Sequence, residues 1–253
     1  MLGVSLYDTK LNEIISGRKP FSAAHVLKNT NYPNQSPYLS QIPCSWGALF
    51  FPEIWREFHD YQSARLTSAF GPSRHKIIVP SSRSNHWPKS WKRFFIELAY
   101  LRGYVMLYPN YENSTSFTTN YAEKGVHFHF TGKKKDLWLL PLMKEDTLLE
   151  GLPDGHLPNF NDLPTIDLWG KVVSPKNLIQ RGRKFHSRIS SCPPIGLDNL
   201  TYNPQDLLCV KHRKKKNRTL ITKVKNPTEK PIVENNTTLP IDNKIQTPLI
   251  EKE

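Results

Sequence analysis

The chain has 253 residues, of which 38% are apolar and 11% aromatic, and it carries a formal net charge of +13. Its three cysteines, Cys44, Cys192 and Cys209, match neither a zinc-binding pattern nor a disulfide scaffold. No apolar stretch is long enough for a membrane-spanning helix, and the first residues lack the basic and apolar regions of a signal peptide.

The composition divides the chain into a folded domain and a tail. All six tryptophans lie between Trp46 and Trp169, whereas nine Lys and Arg residues lie between Lys211 and Lys230. We predict one folded domain over residues 1–195 and a disordered basic tail over residues 203–253. The basic run lacks aromatic residues, and the chain has no helix–turn–helix, zinc-finger or RNA-recognition signature, so we expect no nucleic-acid partner. Nuclear targeting or polyanion binding by this run is the alternative interpretation.

The first sixty residues predict strands and one helix. Residues 3–7 have the pattern of an interior strand, and residues 28–43, rich in Asn, Pro, Ser and Tyr, predict a long ordered loop. The apolar run 45–51 predicts a buried strand that ends at Pro52. Proline followed by an acidic residue is typical of a first helical turn, which predicts a helix from Pro52 to about Leu66.

The same alternation continues along the chain. Residues 77–79 predict a short strand, and apolar residues spaced by three and four predict a helix from about Lys89 that Gly103 ends. Residues 104–108 predict the next strand. Further along, the sequence favours a buried segment near residues 137–143, an apolar cluster at 163–173 and a helix over 178–189. Strands alternating with helices predict an α/β layered domain.

The first segment that could carry chemistry runs from Cys44 to Asp60. Glu53 and Asp60 are candidates for a catalytic base that deprotonates an acceptor hydroxyl. The reason is position, since open α/β sheets bind ligands beyond the carboxyl ends of strands. Alternatively, Glu53 stabilises the start of the helix and Asp60 is simply solvated.

Two further segments hold candidate ligand-binding residues. In the loop after the predicted strand 77–79, Arg83 suits phosphate binding and Trp87 offers a stacking face for a base or sugar, with Asn85 between them. The alternative interpretation is that this loop ties two elements together.

The third segment contains Asn120, a candidate substrate-binding residue, and the candidate metal ligands Glu123 and His127. In an extended chain, His127 and His129 share a face and could bind a divalent cation with Glu123. Hydrogen-bonded histidines at a sheet edge are the alternative.

These segments resemble a known family. Residues 43–48 (PCSWGA), 51–58 (FPEIWREF), 100–110 (YLRGYVMLYPN), 116–120 (SFTTN) and 163–169 (LPTIDLW) are similar to segments of the KOBITO/ELONGATION DEFECTIVE proteins of plants. Those proteins are glycosyltransferase-like and have fungal relatives in glycosyltransferase family 2. The resemblance covers roughly residues 1–195.

The resemblance implies a GT-A-like mixed sheet with flanking helices, of which this chain holds the acceptor-side portion. It implies transfer of a sugar from a nucleotide-sugar donor to a glycan or cell-wall acceptor. It also implies a location in the Golgi, elsewhere in the secretory pathway or at the plasma membrane, with membrane attachment only through an anchor outside this chain. A non-catalytic glycan-binding or scaffold protein of the same fold is the alternative.

In such enzymes, a nucleotide-binding half with an Asp-x-Asp motif precedes the acceptor half, and this chain has no Asp-x-Asp. The resemblance therefore implies a domain that is incomplete at its N-terminus and that uses Mn²⁺ or Mg²⁺ only together with that half. It further implies that Trp46 and Trp87 stack on sugars and that His127 is a metal ligand. Tyr121, where relatives are expected to have histidine, departs from the pattern. We expect Trp46, Trp87 and His127 to meet at a single sugar-sized cleft.

Overall fold

The structure, a computed structural model, describes residues 1–17, 19–67, 77–120, 139–144, 147–190 and 202–208. The strands in these ranges are β1 (Gly3–Ser5), β2 (Leu11–Asn12), β3 (Lys19–Pro20), β4 (Tyr38–Ser40), β5 (Ala48–Phe50), β6 (Met106–Tyr108) and β7 (Thr165–Ile166). The helices are α1 (Ala23–Leu27), α2 (Pro52–Leu66), α3 (Trp91–Arg102), α4 (Pro175–Ile189) and α5 (Gln205–Leu208). Short 3-10 segments lie at Arg83–His86, Glu112–Ser114, Pro153–Gly155 and Phe160–Asp162.

Five strands form a mixed sheet in the order β5-β1-β6-β4-β7. The neighbours β1 and β6 are parallel, and so are β4 and β7, whereas β5 is antiparallel to β1 and β4 is antiparallel to β6. The carboxyl ends of β1 and β6 therefore lie at one edge of the sheet, and β5 and β4 begin at that edge. β2 and β3 pair separately as a two-stranded antiparallel sheet.

The strand register places an apolar row on one face of the sheet. Leu49, Val4, Leu107 and Leu39 lie opposite one another on β5, β1, β6 and β4. Near β4 this face is covered, because Leu39 packs with Leu178 of α4. Toward β5 it opens, and Leu49 is 58% exposed. Side chains alternate between the faces of a strand, so Phe50 points the other way, where its ring lies 5.1 Å from that of Phe95 in α3.

The helices pack through aromatic rings and one close backbone approach. The rings of Phe58 in α2 and Phe95 in α3 stack with centroids 4.3 Å apart. Where α3 meets α4, Gly182 allows the two backbones to touch, since a Cβ at this position would lie 2.4 Å from the carbonyl oxygen of Leu101. A side chain at position 182 would therefore force the helices apart.

A buried ionic cluster fastens α5 to the helices. The Arg102 guanidinium lies 2.7 Å from Glu57 Oε1 and 2.7 Å from Asp206 Oδ1, and the Tyr104 hydroxyl donates to Glu57 Oε2 at 2.6 Å. Leu208 is completely buried. The segment around α5 lies within the predicted basic tail, so the ordered part of the chain extends beyond position 203, to at least Leu208.

The predicted α/β class is confirmed as a mixed five-stranded sheet flanked by helices. The predicted helix from Pro52 to Leu66 is confirmed at both ends, and α3 ends at Gly103, whose φ of 71° lies in the left-handed region. Within the described part of the chain, none of the helices is long and apolar enough to cross a membrane.

Two strand assignments from the sequence were wrong. Residues 77–79 form no strand, although Ile77 and Val79 are buried. The side chain of Asn85 satisfies the backbone groups that a neighbouring strand would otherwise bond. It donates to Val79 O at 2.7 Å and accepts from Val79 N at 3.1 Å. Conversely, β4 lies in the segment predicted as a loop, between β6 and β7.

Candidate functional site

The segment that follows β1 is held at the carboxyl ends of β1 and β6. The carbonyl oxygen of Leu6 accepts hydrogen bonds from the backbone N–H groups of Phe117 and Thr118, both at 3.0 Å, and from Ser116 Oγ at 2.8 Å. Asp8 N in turn donates to Ser116 Oγ at 2.8 Å. These bonds join positions more than a hundred residues apart and fix Asp8 at the edge where open α/β sheets bind ligands.

Asp8 is a buried carboxyl group that titrates near neutral pH. Only 7% of the residue is exposed, and this burial raises the pKa of Asp8 to about 7, because the ionised form loses its hydration. A hydrogen bond from the Ser114 side chain and the charge of Lys10 act in the opposite direction and lower the pKa by less than burial raises it. At neutral pH, Asp8 therefore exists in both protonation states, which suits a general acid or base.

The buried hydroxyl groups of Tyr38 and Thr118 belong to the segments around Asp8. Tyr38 and Tyr108 lie opposite each other on β4 and β6, and their rings stack at 5.3 Å. Burial and, secondly, the charge of Asp8 raise the pKa of Tyr38, so its hydroxyl lies within electrostatic range of the carboxyl group. Among the described residues, the Tyr38 hydroxyl and Thr118 Oγ1 have no hydrogen-bond partner. A buried polar group without a partner is costly to the fold.

Trp46 lies at the same edge of the sheet. Its ring meets the ring of Tyr7, the residue before Asp8, edge to face with centroids 5.4 Å apart. Gly47, with a φ of 105°, leads from Trp46 into β5, and a Cβ here would lie 2.6 Å from Thr118 Oγ1. The first and third segments singled out in the sequence thus meet beside Asp8.

Glu53 and Asp60 lie elsewhere. Both are exposed on α2, and Asp60 Oδ1 lies 3.2 Å from His59 Nδ1. Glu53 follows β5, but β5 runs antiparallel to β1, so its carboxyl end lies at the edge opposite Asp8. The strand-end argument for Glu53 assumed that β5 runs in the same direction as its neighbours. Catalytic roles for Glu53 and Asp60 stay predictions, and position favours Asp8.

The loop of Arg83, Asn85 and Trp87 is tied to neighbouring elements. Arg83 Nη1 donates to the carbonyl oxygen of Glu13 at 3.2 Å, and both polar atoms of the Asn85 side chain bond the backbone of Val79. Trp87 is half-buried and packs with Ile14 and Val79. These contacts favour the alternative interpretation, in which the loop joins two elements.

Trp46 and Trp87 pack in different hydrophobic clusters. A polar bridge nevertheless connects their loops. Lys92 Nζ lies 3.2 Å from Ser45 Oγ, beside Trp46, and also contacts the carboxylate of Glu13, whose carbonyl binds the loop of Trp87. The two loops are therefore linked through Lys92 and Glu13, but the two tryptophan rings share no hydrophobic cluster.

Of the third segment, Asn120 is half-buried and lies two residues after Thr118. Glu123 and His127, the predicted metal ligands, lie outside the described residues, as does the predicted meeting of His127 with the tryptophans. In the ranges that the structure describes, no three His, Cys, Asp or Glu side chains are placed to hold a metal ion.

The sequence contained a signal for Asp8 that the motif search passed over. Asp8 directly follows the predicted strand 3–7, and the strand-end rule applied to Glu53 applies equally there. Tyr38 carried no such signal, because its strand lies in a segment rich in loop-forming residues.

Comparison with protein families gives a match over a short part of the chain. Residues 15–70 match the model of a family described as SPBC1E8.03c C-terminal domain. That range contains Tyr38, Trp46, Glu53 and Asp60, and Asp8 precedes it. No curated protein and no solved structure matches the chain significantly.

Proposed function

We propose that this domain is the acceptor side of a glycosyltransferase that transfers a sugar from a nucleotide-sugar donor to a glycan or cell-wall acceptor. The observation that carries the proposal is the buried carboxyl of Asp8, with a pKa of about 7, at the shared carboxyl ends of β1 and β6. The resemblance of residues 43–58 and 100–110 to glycosyltransferase-like proteins supports the same reaction class.

Asp8 acts in this proposal as the base for the acceptor. The acceptor oxygen forms a bond to the anomeric carbon of the donor, while the bond from that carbon to the diphosphate breaks. The proton of the acceptor hydroxyl passes to the Asp8 carboxylate, and the nucleoside diphosphate leaves. A base with a pKa near the working pH is substantially ionised beforehand and still holds a proton well, which is the best compromise for proton transfer.

The neighbours of Asp8 have matching roles. The ring of Trp46, which is half-buried, packs against the apolar face of a sugar. The side chain of Asn120, also half-buried, hydrogen-bonds the sugar hydroxyl groups. Sugar recognition needs this combination of an apolar face and polar groups.

The nucleotide-sugar donor is bound by the residues for which the sequence predicts that role. We propose that Glu123 and His127 help to hold Mn²⁺ or Mg²⁺ together with an upstream Asp-x-Asp segment. Such an ion would neutralise the leaving diphosphate. By resemblance, the reaction takes place in the secretory pathway or at the plasma membrane.

The proposal is tested on the chain expressed together with the Asp-x-Asp half that it requires, by incubating the protein with nucleotide sugars, Mn²⁺ and oligosaccharide acceptors. Nucleoside diphosphate release and product mass are measured. We expect Asp8→Asn to lower kcat by about 100-fold or more, the usual contribution of a general base. The wild-type rate should rise through about pH 7 and level off above it, because the base must be ionised. Asp162→Asn, at an exposed carboxylate, is the matched control and should retain full turnover.

Three results would count against this assignment. Full turnover in Asp8→Asn removes Asp8 as the base, and a large loss in Glu53→Gln or Asp60→Asn instead returns that role to α2. If no donor is turned over but calorimetry detects an oligosaccharide whose binding Trp46→Ala abolishes, the domain is a glycan-binding or scaffold protein and the transferase proposal fails.

A further inference from the structure

The outer side of β5 carries backbone groups that no described strand pairs. β5 is the edge strand of the sheet, bonded only to β1 among the described strands. Leu6 N donates to Gly47 O at 2.7 Å, and Phe51 N donates to Leu2 O at 3.0 Å. In an antiparallel pair, every second residue faces the partner, so Gly47, Leu49 and Phe51 bond toward β1. The N–H and C=O groups of Ala48 and Phe50 therefore point away from the sheet.

Apart from its short length, this edge lacks the features that usually prevent pairing. Proteins protect exposed edge strands with lysine, proline, a bulge or an inward-pointing charge. Residues 48–51 are Ala, Leu, Phe and Phe, and the first proline, Pro52, already belongs to α2. The strand therefore offers an uncharged row of backbone donors and acceptors.

Apolar side chains surround the open edge. Leu49 is 58% exposed, Phe51 39% and Trp55 43%, and Trp91 on α3 is 37% exposed beside Trp55. The indole rings of Trp55 and Trp91 meet edge to face at 6.2 Å, and Trp55 stacks on Phe50 at 5.1 Å. Exposed apolar side chains that adjoin one another in this way are typical of protein–protein contacts. The unpaired strand edge shows what kind of contact fits, namely another strand.

The outward backbone groups of β5 are self-complementary about Leu49. We propose that two copies of this chain associate through β5, with the two strands antiparallel and Leu49 facing Leu49 of the second copy. Ala48 then lies opposite Phe50 of the second copy, and Phe50 lies opposite Ala48. In both pairs, the outward N–H groups donate to the outward C=O groups, so every open backbone group of Ala48 and Phe50 gains a partner. A twofold axis requires this self-complementarity, because each surface must fit an identical copy of itself.

The dimer joins the two sheets into one. Leu49 occupies a non-hydrogen-bonded pair, in which the facing side chains approach most closely, so the most exposed side chain of the strand becomes covered. The apolar row of Leu49, Val4 and Leu107 then continues into the same row of the second copy. The exposed aromatic rings of α2 and α3 lie beside the new contact on the other face of the sheet.

The test is the mass of the full chain by sedimentation velocity over a concentration series. We expect wild type to reach twice the monomer mass of 29.3 kDa as concentration rises. Leu49→Lys places like charges opposite each other and should weaken association by at least about tenfold, or about 1.4 kcal/mol. Leu157→Lys alters a similarly exposed leucine outside the sheet and should leave association unchanged.

A mixing experiment separates this geometry from any other dimer. Leu49→Lys mixed with Leu49→Glu should restore association, because opposite charges then face each other across the axis. Hydrogen exchange of the wild type gives a readout that needs no variant. Protection at Ala48 and Phe50 should grow with concentration, whereas Leu49, already bonded to β1, should be protected throughout. A chain that stays monomeric, or that dimerises without these changes in protection, overturns the proposal, as does a mixture of the two variants that fails to associate.

Discussion

The environment of Asp8 predicts an unusual dependence of stability on pH. Burial raises its pKa from 3.8 to about 7, so the folded state holds this proton more tightly than the unfolded state does. Between these two values the folded protein keeps the proton and the unfolded chain loses it. The contribution of Asp8 therefore makes the fold less stable as pH rises from about 4 to about 7. The full difference is about 4 kcal/mol, from 1.36 kcal/mol for each pKa unit.

Replacing Asp8 by Asn removes this dependence while keeping the size of the side chain. The free energy of unfolding of both proteins is measured by urea titration at intervals from pH 4 to pH 8. We expect Asp8→Asn to gain stability relative to wild type as pH rises, by a few kcal/mol over this range, with most of the change complete by about pH 7. Asp162→Asn removes the same charge from an exposed position, and its difference from wild type should stay nearly constant.

A constant difference between Asp8→Asn and wild type across the range would refute this reasoning. Carbon-13 NMR of the Asp8 carboxyl group checks it directly, and a titration midpoint near 4 would show that the group is solvated in the folded protein. The base role proposed for Asp8 would then lose its physical support, since an ordinary carboxylate is a weak base at neutral pH.

Two further predictions concern the helices. Arg102→Met leaves the Glu57 carboxylate buried without its cation and should lower the free energy of unfolding by about 3–5 kcal/mol in urea titration. Gly182→Ala places a Cβ against the carbonyl oxygen of Leu101 and should lower stability by about 1–3 kcal/mol, because backbone atoms cannot move aside without shifting α3. Differential scanning calorimetry of this variant should show a lower Tm although alanine favours helix formation.

Both predictions have matched controls at exposed helical positions. Arg56→Met removes an exposed arginine of α2, and Ser187→Ala changes an exposed position of α4. Each should alter stability by less than about 0.5 kcal/mol, as surface substitutions usually do. If a variant and its control lose equal stability, the buried ion pair or the close helix contact does not contribute more than a surface position.

The long helices could be located from the sequence because their signals are local. Pro52 and Glu53 marked the start of α2, and Gly103 marked the end of α3. In the structure, Gly103 has a left-handed φ of 71°. Hydrogen bonds four residues apart and apolar residues spaced by three and four are contained within one segment. The sequence therefore determined these elements and the α/β class without knowledge of their neighbours.

The directions and neighbours of the strands depended on the tertiary structure. A strand of three residues has little pattern of its own, so β4 was missed in a loop-like segment and β5 could not be recognised as antiparallel to β1. Because β5 is antiparallel to β1, Asp8 lies at the carboxyl ends of β1 and β6, whereas Glu53 lies at the opposite edge. The property that makes Asp8 a candidate, its burial, depends partly on a segment 108 residues away at Ser116. A pKa is set by everything that excludes water from a group, and only the folded chain determines which residues do so.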